Sequence, residues 1–219
     1  MNRSVLLATI ITVALFTLGC DKLSPEPDYY PTTVGSTWRY EGEMLFAQGD
    51  ADTFATMVQR VEITGTTTLA GGSEAAVVVS LDSMETRIGP DASITVTYDT
   101  TYIVKRDSLV LSYDSLNDNT PQTILSLPIT EGKTWDVWAS GDEKVEAMVL
   151  GKEDAVVPAG SFKDCWKMKF TYTGPDPEEL LMHHWVADGV GMVQYRMEME
   201  SGQFTITMGL RLTHYDVKK

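Results

Sequence analysis

Two adjacent histidines are the first candidates for chemistry in this chain of 219 residues. His183 and His184 could bind a metal ion, with His214 as a third ligand. Adjacent side chains of a strand point to opposite faces, however, so this pair cannot readily hold one ion. No closely spaced set of cysteines and histidines accompanies them. We therefore expect no metal site and no cofactor, and we expect His184 in the core or at its rim beside Trp185.

Two acidic loops, residues 48–52 and 114–119, carry oxygen atoms of the kind that calcium binds. Neither forms the twelve-residue calcium loop with its closing glutamate, so we expect solvated turns. The segment Gly189-Val190-Gly191 lies between strands rather than before a helix and predicts a hairpin turn. Nucleophile elbows and phosphate-binding loops are absent. The sequence therefore predicts no catalytic residue, and an enzyme is the less expected class.

Cys20 is the residue with the clearest predicted chemistry. Arg3 supplies a short positive region, and residues 4–18 are uncharged and largely apolar. This stretch is too short to span a bilayer and ends at small Gly19, which is typical of a cleaved export signal. Gly19-Cys20 resembles the bacterial lipoprotein box, in which the cysteine is acylated and the chain is cut before it. Thr17 departs from that box, which usually has leucine there.

The resemblance implies a signal peptide over residues 1–19 and a mature protein that begins at Cys20. Acyl chains such as palmitate on Cys20 would anchor it durably to a membrane of the bacterial cell envelope. Asp21 favours retention at the inner membrane in enterobacterial lipoproteins, but this rule varies between bacterial groups, so the inner and outer membranes stay open. The alternatives are an ordinary signal peptide cleaved near Gly19 and an uncleaved anchor.

The mature chain would be strongly acidic. Without Arg3 it has 16 lysines and arginines against 31 aspartates and glutamates. Binding to phosphates requires clustered cations, so we expect no nucleic acid partner. If Cys20 is acylated, Cys165 has no partner for a disulfide within the chain. We expect Cys165 to be a small apolar residue inside a strand.

Alternation of apolar and polar residues dominates the chain from Tyr30 onward. It is clearest in three series: Ile94, Val96, Tyr98 and Tyr102; Trp166, Met168, Phe170 and Tyr172; Phe204, Ile206, Met208, Leu210 and Leu212. Period two is typical of half-buried strands in antiparallel sheets, and we expect these residues in the core. The sequence predicts about twelve strands and no helix beyond one possible turn at residues 177–182. The proline-rich residues 20–30 predict a tether, and residues 31–219 a single domain.

The two halves of this domain resemble each other. Residues 34–38 (VGSTW) recur as residues 131–135 (EGKTW), and Val61-Glu62 matches Val145-Glu146. We expect tandem units of about 31–127 and 128–219, with Trp38 and Trp135 as equivalent core residues. A sheet with one apolar face is not stable alone in water. The predicted fold class is therefore all-β, with both units in a strongly curved antiparallel sheet, a half-barrel or a sandwich.

Three short motifs resemble an uncharacterised group of bacterial exported proteins and lipoproteins. They are a Pro-x-x-x-Gly-x-x-Trp-x-Tyr segment at Pro31–Tyr40, a Val-Pro-Ala-Gly-x-Phe turn at Val157–Phe162, and a Gly-Val-Gly segment at Gly189–Gly191. The resemblance implies a β-rich fold and an envelope location, but no activity. The turn has a physical meaning as well, since Pro158 fixes φ and Gly160 permits a positive φ.

Methionines offer the one hint of a ligand. Six of those in the second half stand out: Met168, Met182, Met192, Met197, Met199 and Met208. Flexible thioethers suit an adaptable apolar surface, so a cavity for lipid is one interpretation and simple core filling is the other. We expect a non-enzymatic binding or assembly module for a hydrophobic ligand or a protein partner. A structural or adhesive surface module is the alternative, and a hydrolase comes third.

Overall fold

The computed structural model describes residues 26–48, 51–88, 91–174 and 179–219. The predicted signal peptide, Cys20 and most of the tether lie outside these ranges and stay predictions. Among the described residues there is no helix, and so none long and apolar enough to cross a membrane.

The described residues form twelve strands, as many as the alternation predicts. They are β1 (Thr37–Gln48), β2 (Ala51–Thr68), β3 (Glu74–Ile88), β4 (Asp91–Arg106), β5 (Leu109–Tyr113), β6 (Gln122–Ser126), β7 (Thr134–Ser140), β8 (Glu143–Val157), β9 (Gly160–Thr173), β10 (Glu179–Ala187), β11 (Gly191–Ser201) and β12 (Phe204–Asp216). The helical turn considered for residues 177–182 is wrong for 179–182, which begin β10.

All of these strands pair in one antiparallel sheet of order β6-β5-β4-β3-β2-β1-β12-β11-β10-β9-β8-β7. Strands that are neighbours in sequence pair with each other, except β6 and β7, and β1 also pairs with β12. This is the order of a ring opened between β6 and β7. The predicted all-β, strongly curved sheet is confirmed, and its form is a nearly closed barrel rather than a sandwich.

Side chains bridge the opening between β6 and β7. The indole Nε1 of Trp135 on β7 donates to the carbonyl of Thr123 on β6 at 2.9 Å. The Lys133 ammonium donates to three carbonyls of the connection, those of Ser126, Leu127 and Pro128, at 3.1, 2.9 and 3.0 Å. Since the two strands form no ladder with each other, these bonds satisfy carbonyls that the opening leaves without strand partners.

The main core lies inside the curve and draws on both halves. Met168 and Phe170 on β9 and Leu210 and Leu212 on β12 are buried, as their alternation predicts, whereas Phe204, Ile206 and Met208 on β12 are only half-buried. Cys165 is fully buried in β9, also as expected. The domain is thus held together by apolar burial on the inner face of the sheet.

β4 is a strand, as its alternation predicts, but the expected burial of the first three apolar residues of that series is wrong. Ile94, Val96 and Tyr98 are 67%, 50% and 74% exposed. The reason is topological: β5 pairs with β4 only along Tyr102–Arg106, so the first nine residues of β4 form an exposed sheet edge. Alternation distinguishes the two faces of a strand, but it does not show how far the neighbouring strand extends along it.

Equivalent backbone hydrogen bonds occur in the two halves. They join Gly35 and Ser36 to Ile63, and Gly132 and Lys133 to Val149, at 2.8 to 3.0 Å. A register shift follows each of these sites, before Gly65 on β2 and before Gly151 on β8. This correspondence supports a duplication. It aligns Gly65 with Gly151, and the offset between these two glycines is two residues larger than the offset between Val61 and Val145. The unit boundaries themselves stay a prediction.

Candidate ligand-binding cavity

A cavity of about 400 Å³ lies inside the curved sheet. This volume falls within the range of small-molecule binding pockets. Most of its wall is apolar and comes from both halves, including Val78, Leu125, Val145, Met168, Phe170 and Met192. Of the six methionines singled out in the sequence, Met168, Met182 and Met192 line it. If these methionines form an adaptable apolar surface, that surface is the wall of this cavity.

The polar side chains of the wall are all neutral. None of the described residues that line the cavity is an aspartate, glutamate, lysine or arginine. Trp38 and Tyr40 use their donors within the protein, on the carbonyls of Val190 at 2.7 Å and Met192 at 2.9 Å. A second set of polar side chains in the wall makes no hydrogen bond to any described residue: Tyr30, Gln59, Gln122 and His184. These four groups can bond to a molecule in the cavity.

His184 packs against two aromatic rings in this wall. Its ring lies 4.4 Å from that of Phe170 and 5.1 Å from that of Tyr195, measured between centroids. Burial lowers the pKa of His184 to about 4, and the neighbouring His183 adds to the shift. The imidazole is therefore neutral near pH 7 and offers one donor and one acceptor. The expectation that His184 lies in the core or at its rim is confirmed.

The end of the predicted tether forms part of the same wall. Tyr29, Tyr30 and Pro31 line the cavity, and burial raises the pKa of Tyr30 to about 12. Asp28 fixes this segment by binding both halves: its carboxylate accepts from the Lys105 ammonium on β4 at 2.8 Å. Its backbone N–H donates to the Asp188 carboxylate, after β10, also at 2.8 Å. The packed part of the chain thus begins by Asp28, within the stretch expected to be a tether.

The other candidate residues from the sequence do not join this site. In the loop 114–119, Asp118 accepts hydrogen bonds from Asp114 and Thr120, which lower its pKa in an exposed turn. The loop 48–52 lies partly outside the described residues. Within the described ranges, no group of three or more His, Cys, Asp or Glu residues is placed to hold a metal ion. Burial raises the pKa of the Cys165 thiol, so it stays protonated near neutral pH.

The buried histidine predicts a specific pH dependence of stability. The pKa of His184 is about 4 in the folded chain against an ordinary value of 6.5, so the unfolded chain binds more protons between these values. Stability contributed by the neutral ring is therefore lost as the pH falls from about 6.5 towards 4. Between pH 7 and pH 5 we expect the free energy of unfolding of wild type to fall by roughly 1–2 kcal/mol more than that of His184→Phe.

Urea unfolding of both proteins at pH 7, 6 and 5 measures this difference. His183→Phe is the matched control, because burial also lowers the pKa of His183, but its ring is less deeply buried and lies near Trp185 instead. Parallel pH profiles for wild type and His184→Phe would show that the folded protein does not hold this ring in its neutral form.

No family model matches the chain, and no curated protein matches it. Two solved structures are similar to it at low sequence identity. One is a candidate exported protein with a YmcC-like fold from Bacteroides fragilis, with 12% identity and a TM-score of 0.42. The other is a candidate lipoprotein from Parabacteroides distasonis, with 13% identity and a TM-score of 0.42. Each likeness covers 87% of this chain and 99% of the other, and neither assigns this chain to a family.

Proposed function

We propose that this protein is a lipoprotein of the bacterial cell envelope that binds a small hydrophobic molecule inside its curved sheet. The cavity is the observation that carries this proposal. Its apolar wall would take a ligand body out of water, which is the main favourable contribution to binding for such molecules. Its unpaired neutral polar groups would orient the ligand. Binding is the role that this wall supports, since its described side chains are apolar or neutral polar.

Anchoring through an acylated Cys20 is the second part of the proposal. Cys20 lies eight positions before Asp28, which is bound to the sheet. Fully extended, eight residues span at most about 29 Å, so the cavity would stay close to the anchoring membrane. Because Tyr29 and Tyr30 belong to the cavity wall, the chain that leads to the membrane also borders the binding site. A ligand exchanged with that membrane would have a short path.

Filling the cavity tests the binding function. Val145 lines the cavity on β8, and Val156 lies on the same strand with 76% of its surface exposed. We expect wild type and Val156→Phe to bind the uncharged apolar dye N-phenyl-1-naphthylamine. Val145→Phe should bind it at least about tenfold more weakly, because the added ring occupies ligand volume.

Dye fluorescence titrations give the three dissociation constants, and thermal unfolding shows whether Val145→Phe is folded. Failure of wild type to bind the dye would contradict the proposed function. So would equal affinities for wild type and a folded Val145→Phe, because the dye would then bind elsewhere.

An adhesive or structural module is favoured by a different observation, the exposed edge of β4. Ile94, Val96 and Tyr98 place an apolar row beside backbone groups without a strand partner, and such edges add strands from other chains. We expect a partner protein to cross-link to a photoreactive group at position 96 in intact cells if this edge is the working surface. Absence of any cross-linked product would count against this second function.

A hydrolase, the third possibility from the sequence, would need carboxylates with perturbed pKa values gathered in one cleft. Among the described residues the carboxyl groups with a lowered pKa are Asp118 and Asp154. Both are exposed and accept hydrogen bonds, Asp118 in the loop after β5 and Asp154 on β8, and neither lines the cavity. These carboxylates therefore give no reason to prefer a hydrolase over the binding function.

A further inference from the structure

The polar groups of the cavity restrict the chemistry of its ligand. We infer that the ligand is an uncharged amphiphile, with an apolar body against the valine and methionine wall and one hydroxyl or carbonyl group hydrogen-bonded to His184. This inference rests on the proposed binding function and names the class of molecule that the site would take.

The described residues of the wall offer no partner to an ionised head group. A carboxylate or phosphate inside this cavity would lose its hydration without gaining a cation, because no described residue of the wall is a lysine or arginine. The surrounding protein adds no attraction for anions, since the chain has a formal charge of −14. An ionised fatty acid is therefore a poor ligand, whereas an alcohol or ester of the same chain length suits the wall.

His184 is the natural partner for the polar end of the ligand. It makes no hydrogen bond to a described residue, yet Phe170 and Tyr195 hold its ring in one place. Since no buried side-chain nitrogen or oxygen in the described part of the chain lacks a partner, the ring nitrogens of His184 are accessible from the cavity, and a hydroxyl bound there would gain a hydrogen bond. Since the neutral ring has one donor and one acceptor, it can bond to a hydroxyl through either nitrogen or to a carbonyl through its N–H. Gln59 and Gln122 add further neutral groups to the same wall.

The apolar neighbours of His184 accommodate the rest of such a molecule. Met182 and Val186 flank it at two-residue spacing on β10 and share its face. Met168 lies opposite it on β9 in the strand pairing and also lines the cavity. A polar end at His184 would therefore continue directly into apolar surface. This arrangement suits an amphiphile better than a uniformly polar ligand such as a sugar.

Competition between matched ten-carbon compounds tests the inference. Decanol, decane and decanoate are titrated against bound N-phenyl-1-naphthylamine at pH 8, where decanoate is ionised. We expect decanol to bind at least about tenfold more tightly than decanoate and several-fold more tightly than decane. His184→Phe should remove the preference for decanol over decane and keep the binding of decane. His184→Gln, which retains a donor and an acceptor, should restore part of that preference, and His183→Phe should leave it unchanged.

The outcomes separate the inference from the function beneath it. Decanoate binding as tightly as decanol would overturn the uncharged ligand but not the binding function. An unchanged preference for decanol in a folded His184→Phe or His184→Gln would overturn the assignment of His184. If wild type binds neither dye nor any of the three compounds, both the inference and the proposed function fail.

Discussion

Replacing Gly42 by alanine is expected to destabilise the protein by at least about 3 kcal/mol. A Cβ at this position would overlap the carbonyl oxygen of Gly209 and lie 2.8 Å from its carbonyl carbon. Both are backbone atoms of β12, which pairs with β1 at the junction of the first and last strands. Since β2 pairs with the other side of β1, the strand cannot move away without breaking a second ladder. The change therefore strains the contact that joins the two halves.

Urea unfolding of Gly42→Ala against wild type measures this cost. Gly65→Ala is the matched control, because Gly65 also lies within a strand but a Cβ there would meet no atom within 4 Å. We expect the control to stay within about 1 kcal/mol of wild type. Equal stabilities for Gly42→Ala and Gly65→Ala would mean that β1 and β12 do not approach as closely as the structure has them.

Trp38→Ala is the second change with a large expected effect, about 3–5 kcal/mol of lost stability. Trp38 is only 7% exposed, and its indole Nε1 donates to the carbonyl of Val190 at 2.7 Å. Truncation removes a large apolar side chain from the inner face and leaves that carbonyl without its donor. It also enlarges the cavity, so a longer apolar ligand should gain affinity relative to a shorter one.

Trp135→Ala provides the comparison, because the sequence pairs Trp135 with Trp38 but the structure does not bury them equally. Trp135 is only partly buried and bonds to Thr123 across the opening of the ring. We expect Trp135→Ala to lower the free energy of unfolding by about half as much as Trp38→Ala does. Trp38→Phe should lower it by roughly 1–2 kcal/mol. Chemical unfolding of the three variants gives this order. A larger cost for Trp135→Ala than for Trp38→Ala would contradict the placement of the core.

The burial of strand residues was predictable from the sequence where each face of the strand has the same environment along its whole length. Leu210 and Leu212 alternate with polar residues along a strand paired on both sides, and they are buried as expected. Ile94 and Val96 show the same alternation but lie where β5 does not extend. The length of a neighbouring strand depends on turns elsewhere in the chain, so local periodicity could not reveal that these two side chains are exposed.

The cavity was less predictable, because closure of the sheet brings its wall together from distant segments. A local signal existed for Gln59, which interrupts the inner-face series of Ala55, Met57, Val61 and Ile63 on β2. A polar residue within such a series indicates either strain or a ligand, and this signal was missed. Tyr30 gave no comparable signal, because its place in the wall depends on Asp28 binding β4 and the turn after β10.

Native mass spectrometry of the protein extracted from envelopes in mild detergent tests the central claim most directly. The account predicts a chain that begins at Cys20 and carries the mass of its acyl chains, together with one removable uncharged small molecule. Val145→Phe should retain the acyl mass and lose the small molecule. Wild-type protein that carries no removable molecule after gentle extraction, or that retains it equally in Val145→Phe, would contradict a ligand in the cavity.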